Sequence, residues 1–148
     1  MKNRIFIIDG SSYLYRAFHA MPPLSTSKGQ PTGAVKGVTN MLLNLKKDSE
    51  GSPIIVVFDA KGKTFRNEIY SEYKANRPPM PDELRLQLDP VKSICRAIGF
   101  PLIEIKGVEA DDVIATITRM AKDAEYKCVV SSLDKDLMQL VEDPDTTL

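Results

Sequence analysis

The sequence predicts an α/β fold with a mostly parallel central sheet and helices on both of its faces. Two patterns carry that prediction. Four short apolar runs, Ile5–Ile8, Ile54–Phe58, Leu102–Ile105 and Cys128–Val130, read as strands buried on both faces, as parallel strands are when crossover helices cover them. Between the runs lie longer stretches whose apolar residues recur at helical spacing. Strand and helix in alternation imply parallel pairing through right-handed crossovers.

The helices follow in order. Ser11 or Ser12 is placed to cap a helix over Tyr13–His19, since a short hydroxyl side chain satisfies a first-turn amide. Gly33–Lys47 repeats apolar residues at Val35, Val38, Met41, Leu42 and Leu45. Asp82–Ile98 does so at Leu84, Leu88, Val91, Ile94 and Cys95, and Ala110–Ala121 at Val113, Ile114, Ile117 and Met120. One segment breaks the alternation. Lys61–Pro81 is polar and basic and ends in Arg77-Pro78-Pro79-Met80-Pro81, and no helix runs through prolines so closely placed. It should stand apart from the sheet and be mobile without a ligand.

A chain of 148 residues, 43% hydrophobic and 27% charged, has the length and composition of one globular domain. Its formal net charge is zero, so attraction to nucleic acid must come from local patches. Cys95 and Cys128 lie in apolar segments without a CxxC pair and read as small buried hydrophobes of a reducing cytoplasm. Two separate cysteines and one histidine, His19, do not make the usual zinc sets. Only four apolar residues separate Arg4 from Asp9, too few for a signal peptide or a membrane span.

The main chemical signal is where the acids fall. The first run ends in Asp9, the second in Asp59, and the fourth leads to Asp134 and Asp136, while Glu109, Asp111 and Asp112 follow the third. In a parallel sheet these ends share one edge, where α/β proteins place their sites. Two ionised carboxylates about 4 Å apart repel by roughly 4 kcal/mol at a surface-like dielectric. A crevice of up to seven of them therefore calls for cations or protons, and oxygen-only ligation suits magnesium or manganese. Any one of these acids is equally explained as a cap of the helix after its strand. All the strand ends together favour a cluster. Paired divalent ions suit phosphodiester hydrolysis. Phosphate-loop, GxGxxG and GxSxG motifs are absent, as is the second aspartate of an aspartyl-phosphate phosphatase.

Beside Asp59, Lys61, Lys63, Arg66, Lys74 and Arg77 stand against only Glu68 and Glu72. On a helix over Phe65–Asn76, Arg66, Tyr70 and Lys74 form one stripe, and Phe65, Ile69 and Tyr73 its neighbour. Cations interleaved with aromatics hold phosphates and stack unpaired bases; a solvated helix face is the plainer alternative. Tyr13 and Arg16 are further candidates for a phosphate. So are the free amides of the loop from Met21 to Thr32, which carries Lys28, although a plain surface loop fits as well.

These residues carry a resemblance. Ile7-Ile8-Asp9-Gly10-Ser11-Ser12-Tyr13-Leu14-Tyr15-Arg16-Ala17 resembles the opening of the 5′-nuclease domains that begin bacterial DNA polymerases I. Val57–Arg66 and Tyr73–Pro81 resemble the family's arch, and Gly107–Ile114 with Asp134-Lys135-Asp136 its later metal motifs. The match runs through the whole chain in order. It implies a flap-endonuclease-like fold related to PIN domains, cutting 5′ flaps with two magnesium ions. Asp9, Asp59, Glu109, Asp111, Asp112, Asp134 and Asp136 then match the metal ligands or their neighbours. Lys74 and Arg77 match arch residues at the scissile phosphate, and Tyr73 an aromatic neighbour. The implied biology is removal of RNA primers and displaced flaps by a cytoplasmic monomer joined to a polymerase region. Leu133 stands where the family usually has glycine. An acidic segment and a glycine-rich hairpin that grips duplex DNA are expected past Leu148, so a truncated, weak or inactive nuclease is expected here. Two other readings are a free-standing PIN-type ribonuclease and a DNA-structure-binding module with vestigial acids.

Overall fold

The computed structural model describes residues 3–22, 24–60, 80–132 and 146–147. Five parallel strands form one sheet: β1 (Arg4–Asp9), β2 (Ile54–Val57), β3 (Leu102–Ile103), β4 (Lys127–Ser131) and β5 (Thr146–Thr147), in the order β3-β2-β1-β4-β5. The helices are α1 (Gly10–Ala20), α2 (Gly33–Asp48), α3 (Asp82–Ile98) and α4 (Ala110–Asp123). The chain thus builds outward from β1 in one direction and then returns to its other side. The reversal falls between β1 and β4, the kind of switch point at which open α/β sheets bind ligands.

Burial of β1 explains its unbroken apolar run. Phe6 and Ile8 pack with β2 residues Ile54 and Val56 against Leu14 and Ala17 of α1, Val38 and Leu42 of α2, and Leu84 and Val91 of α3. Ile7 and Val57 face the other way, onto Val113, Ile114 and Ala121 of α4. Helices therefore cover both faces, as the alternation predicts. Among the described residues none of them is long and apolar enough to cross a membrane, and no buried side-chain nitrogen or oxygen lacks a hydrogen-bond partner.

Several expectations shift. Asp9, not Ser11 or Ser12, is the N-cap of α1, which begins at Gly10 rather than Tyr13. The third strand ends at Ile103, not Ile105, because β2 pairs with it only at Leu102 and Ile103. Glu104 then turns to an ion pair with Lys92 at 2.7 Å, and Ile105 is 47% exposed. The loop before α2 does not present free amides throughout. Those of Lys28 and Gln30 donate to Thr26 Oγ1, and those of Thr26, Gly29 and Thr32 to loop carbonyls. Thr32 gives α2 no side-chain cap. Buried Gln87 of α3 substitutes, its Oε1 accepting from the Val35 amide at 3.0 Å.

Both cysteines are buried and neither is joined in a disulfide. Burial pushes the Cys95 thiol from its ordinary 9.0 up to about 11, because a thiolate in an apolar core is poorly solvated. The unfolded thiol ionises first, so this contribution to stability is whole below pH 9.0 and fades as pH rises to about 11. Denaturant melts should accordingly weaken over that alkaline window, and less so in Cys95→Val. An identical alkaline loss in the variant would assign it to other groups.

Candidate active site

Register brings the site together. β1 pairs with β2 so that Asp9 lies opposite Val57, and with β4 so that Ile8 lies opposite Ser131. One step further, Asp9 meets Ser132. The Asp9 carboxylate is 5% exposed. Its Oδ2 accepts from Ser12 Oγ and from Ser132 Oγ, each at 2.7 Å. Among the described residues its Oδ1 accepts only the longer 3.3 Å contact from the Ser12 amide. The latter is the cap of α1, so Asp9 both ends a strand and starts a helix.

Asp59 lies just past β2 and is exposed. Its Oδ1 accepts from the Ala110 amide at 2.7 Å, and Ser11 Oγ donates to its Oδ2 at 3.4 Å. The first amide of α4 is thus held by an acid from another strand. Glu109, the α4 N-cap residue, makes no side-chain cap bond and is 8% exposed. Asp111 and Asp112 occupy the first turn of α4, half-buried, where the helix dipole favours negative charge. Neighbouring serines of one helix turn therefore reach both acids: Ser11 touches Asp59, and Ser12 touches Asp9.

The contact behind the acids is tight. Gly10 follows Asp9 and Phe58 precedes Asp59. A Cβ on Gly10 would lie 2.6 Å from the Phe58 ring, which is itself 1% exposed. The Lys92 ammonium sits over the same ring, 5.6 Å from its centre.

The other candidates divide plainly. Tyr13 is half-buried, and its hydroxyl shares a 2.7 Å hydrogen bond with Ser131 Oγ. Arg16 is exposed beside a groove of about 610 Å³ that Tyr13, Asn40 and Asn44 also line. Lys28 is exposed in its loop. Lys61, Lys63, Arg66, Tyr70, Tyr73, Lys74 and Arg77, with Asp134 and Asp136, lie outside the described residues, and so does most of the expected arch. In the sequence Ser12 reads only as a cap, and Ser131 and Ser132 carry no signal of a site. Nothing marks a serine pair after a strand except its place one register step from Asp9.

Among the described residues, the side chains in contact at this edge, those of Asp9, Asp59, Ser11, Ser12 and Ser132, offer oxygen atoms, the chemistry a hard cation takes. The set is incomplete as described: among the described residues no group of three or more acidic, histidine or cysteine side chains is arranged to hold a metal ion.

A parallel α/β domain with carboxylates at its switch point is the architecture of the 5′-nucleases. The chain belongs to the 5′-3′ exonuclease family: residues 4–148 match the family's N-terminal resolvase-like domain. It is 60% identical over 138 residues to DNA polymerase I of Pseudomonas aeruginosa, covering 93% of this chain and 15% of that protein. It is 48% identical over 139 residues to a 5′-3′ exonuclease of Aquifex aeolicus, covering 94% of this chain and 48% of that one. The chain thus spans less than half the length of these relatives. Among solved structures, the phage T5 D15 protein co-crystallised with metal ions superposes with a TM-score of 0.76 at 25% identity, over 97% of this chain and 54% of that one. A variant of that T5 flap endonuclease with DNA and metal ions gives 0.71 at 25% identity, over 97% and 53%.

Gly10→Ala should force the Phe58 ring against a filled core, costing about 1–3 kcal/mol and several degrees of Tm. Phe58→Leu in the same chain should recover part of that loss, a coupling that a double-mutant cycle reads directly. Additive losses would mean that the two residues do not press on each other.

Proposed function

We propose that the chain is the N-terminal part of a divalent-metal-dependent 5′-3′ exonuclease and 5′-flap endonuclease. Its substrates would be the phosphodiesters of DNA flaps and RNA primers. The observation that carries this reading is the pair Asp9 and Asp59 at adjacent strand ends beside the switch point, in a chain of this family. The relatives named as polymerases and exonucleases, and the T5 structures with metal ions and DNA, support it.

Asp9, Asp59, Glu109, Asp111, Asp112, Asp134 and Asp136 are the proposed metal-holding set. Magnesium is the proposed ion, two per site, with manganese as a substitute. Bound there, the ions supply an activated water and charge neutralisation for an in-line displacement at phosphorus. The protein's own share is to hold the carboxylates at a fixed spacing on rigid strand ends. Lys74 and Arg77 are proposed to meet the scissile phosphate, where cations count most as charge develops. Tyr13, Arg16, Lys28, Lys61, Lys63, Arg66, Tyr70 and Tyr73 are proposed to hold DNA phosphates and bases. The working form is a cytoplasmic monomer, joined to a polymerase region in the full-length protein.

A labelled 5′-flap duplex, offered with magnesium to this chain and to one extended past Leu148, tests the proposal. Cleavage at the flap base that Asp59→Asn abolishes supports it. Cleavage that ignores magnesium, or an extended chain that cuts only single-stranded RNA, refutes it. In the extended chain Lys74→Ala should slow single-turnover cleavage on the order of a hundredfold or more. Its flap Kd should change only modestly, because association is spread over many phosphate contacts. Equal losses in rate and affinity would make Lys74 an ordinary phosphate anchor.

A further inference from the structure

The hydroxyls around Asp9 do more than cap a helix. Ser12 Oγ and Ser132 Oγ each lie 2.7 Å from Asp9 Oδ2 and 3.2 Å from one another. Three contacts among three oxygens hold only two hydroxyl protons, one per serine. The carboxylate is the charged acceptor and draws both, since charge-assisted bonds are the stronger ones. Oδ2 is then occupied twice over, while among the described residues Oδ1 receives only the 3.3 Å amide contact. The two oxygens of one carboxylate are thereby made unequal.

We infer that Ser132, with Ser12, is a positioning residue that holds Asp9 by Oδ2 and leaves Oδ1 for a divalent cation. This rests on the metal-binding reading above. The choice of donor has a physical logic. A lysine or arginine would hold Asp9 as firmly but would neutralise it and repel the incoming ion. A neutral hydroxyl fixes the carboxylate and leaves its charge intact. The two serines also come from different elements. Ser12 lies in the first turn of α1, and Ser132 follows β4 two positions before Asp134. The hydrogen bond from Ser132 therefore ties the end of β4 to the end of β1 at Asp9. Ser131, next along the chain, is engaged differently, with the Tyr13 hydroxyl at 2.7 Å, and provides the natural control.

Manganese binding to the full chain, titrated by calorimetry well below the melting temperature, tests this without recourse to cleavage. Ser132→Ala should weaken manganese binding roughly tenfold, the scale on which groups that orient metal ligands act. Ser132→Thr, which keeps the hydroxyl, should restore it. Ser131→Ala should lower Tm and leave the manganese Kd where it was. Should Ser132→Ala not fold, Ser12→Ala removes the other hydroxyl while keeping the amide contact, and the same weakening is expected. A wild-type Kd in these alanine variants, or an equal loss in Ser131→Ala, overturns the positioning role and leaves the metal reading standing. A wild-type chain that binds no manganese overturns both.

Discussion

Parallel pairing on both edges of β1 is the constraint from which the remaining structure follows. β1 has a strand on either side and a helical layer on either face. Its side chains therefore leave water almost completely, with Ile7 and Ile8 at 0% exposure. Each such residue contributes about 1.5–3 kcal/mol relative to an exposed one. That burial makes the end of β1 rigid. A carboxylate placed there is rigid as well, and the reversal of strand order beside it leaves the crevice open.

The capping explanation and the site explanation of the acids turn out not to compete. Asp9 caps α1 through the Ser12 amide, and Asp59 holds the Ala110 amide of α4. Each acid is orientated by a helix N-terminus that it satisfies, and among the described residues each has a second oxygen engaged only by hydroxyls. Helix starts in this fold thus aim carboxylates, and the dipoles that stabilise those charges lessen the cost of collecting them at one edge. Glu109 is the exception, since it sits at the N-cap of α4 without making a side-chain cap bond.

What was legible in the sequence was whatever rests on periodicity. The buried strands and all four described helices were readable because burial on both faces or on one stripe leaves a regular trace. The acids were readable because they fall at the ends of such runs. Features that depend on a neighbour distant in sequence were not readable. Gln87 caps α2 from another helix, and nothing in its own surroundings marks it. β3 is cut to two residues because it is an edge strand with one partner, although the apolar run continues to Ile105. β5, Thr146–Thr147, has no apolar run at all. Ser132 matters only through register with β1, which a single chain read along its length does not display.

The same register governs when the crevice is assembled. Ser132 and Asp9 stand 123 positions apart, yet they share a hydrogen bond. β1 and β2 can associate once α1 and α2 are in place, but the other edge of β1 stays open until Lys127–Ser131 arrives. Closing so long a loop precedes any gain from the contacts it permits, which makes such pairings slow to form. During that interval the first strand presents an unpaired apolar edge, the feature that invites pairing with another chain. Non-local closure at the switch point places the carboxylate edge with the long-range pairings that topology makes slow, so a defect in late folding would be felt there first.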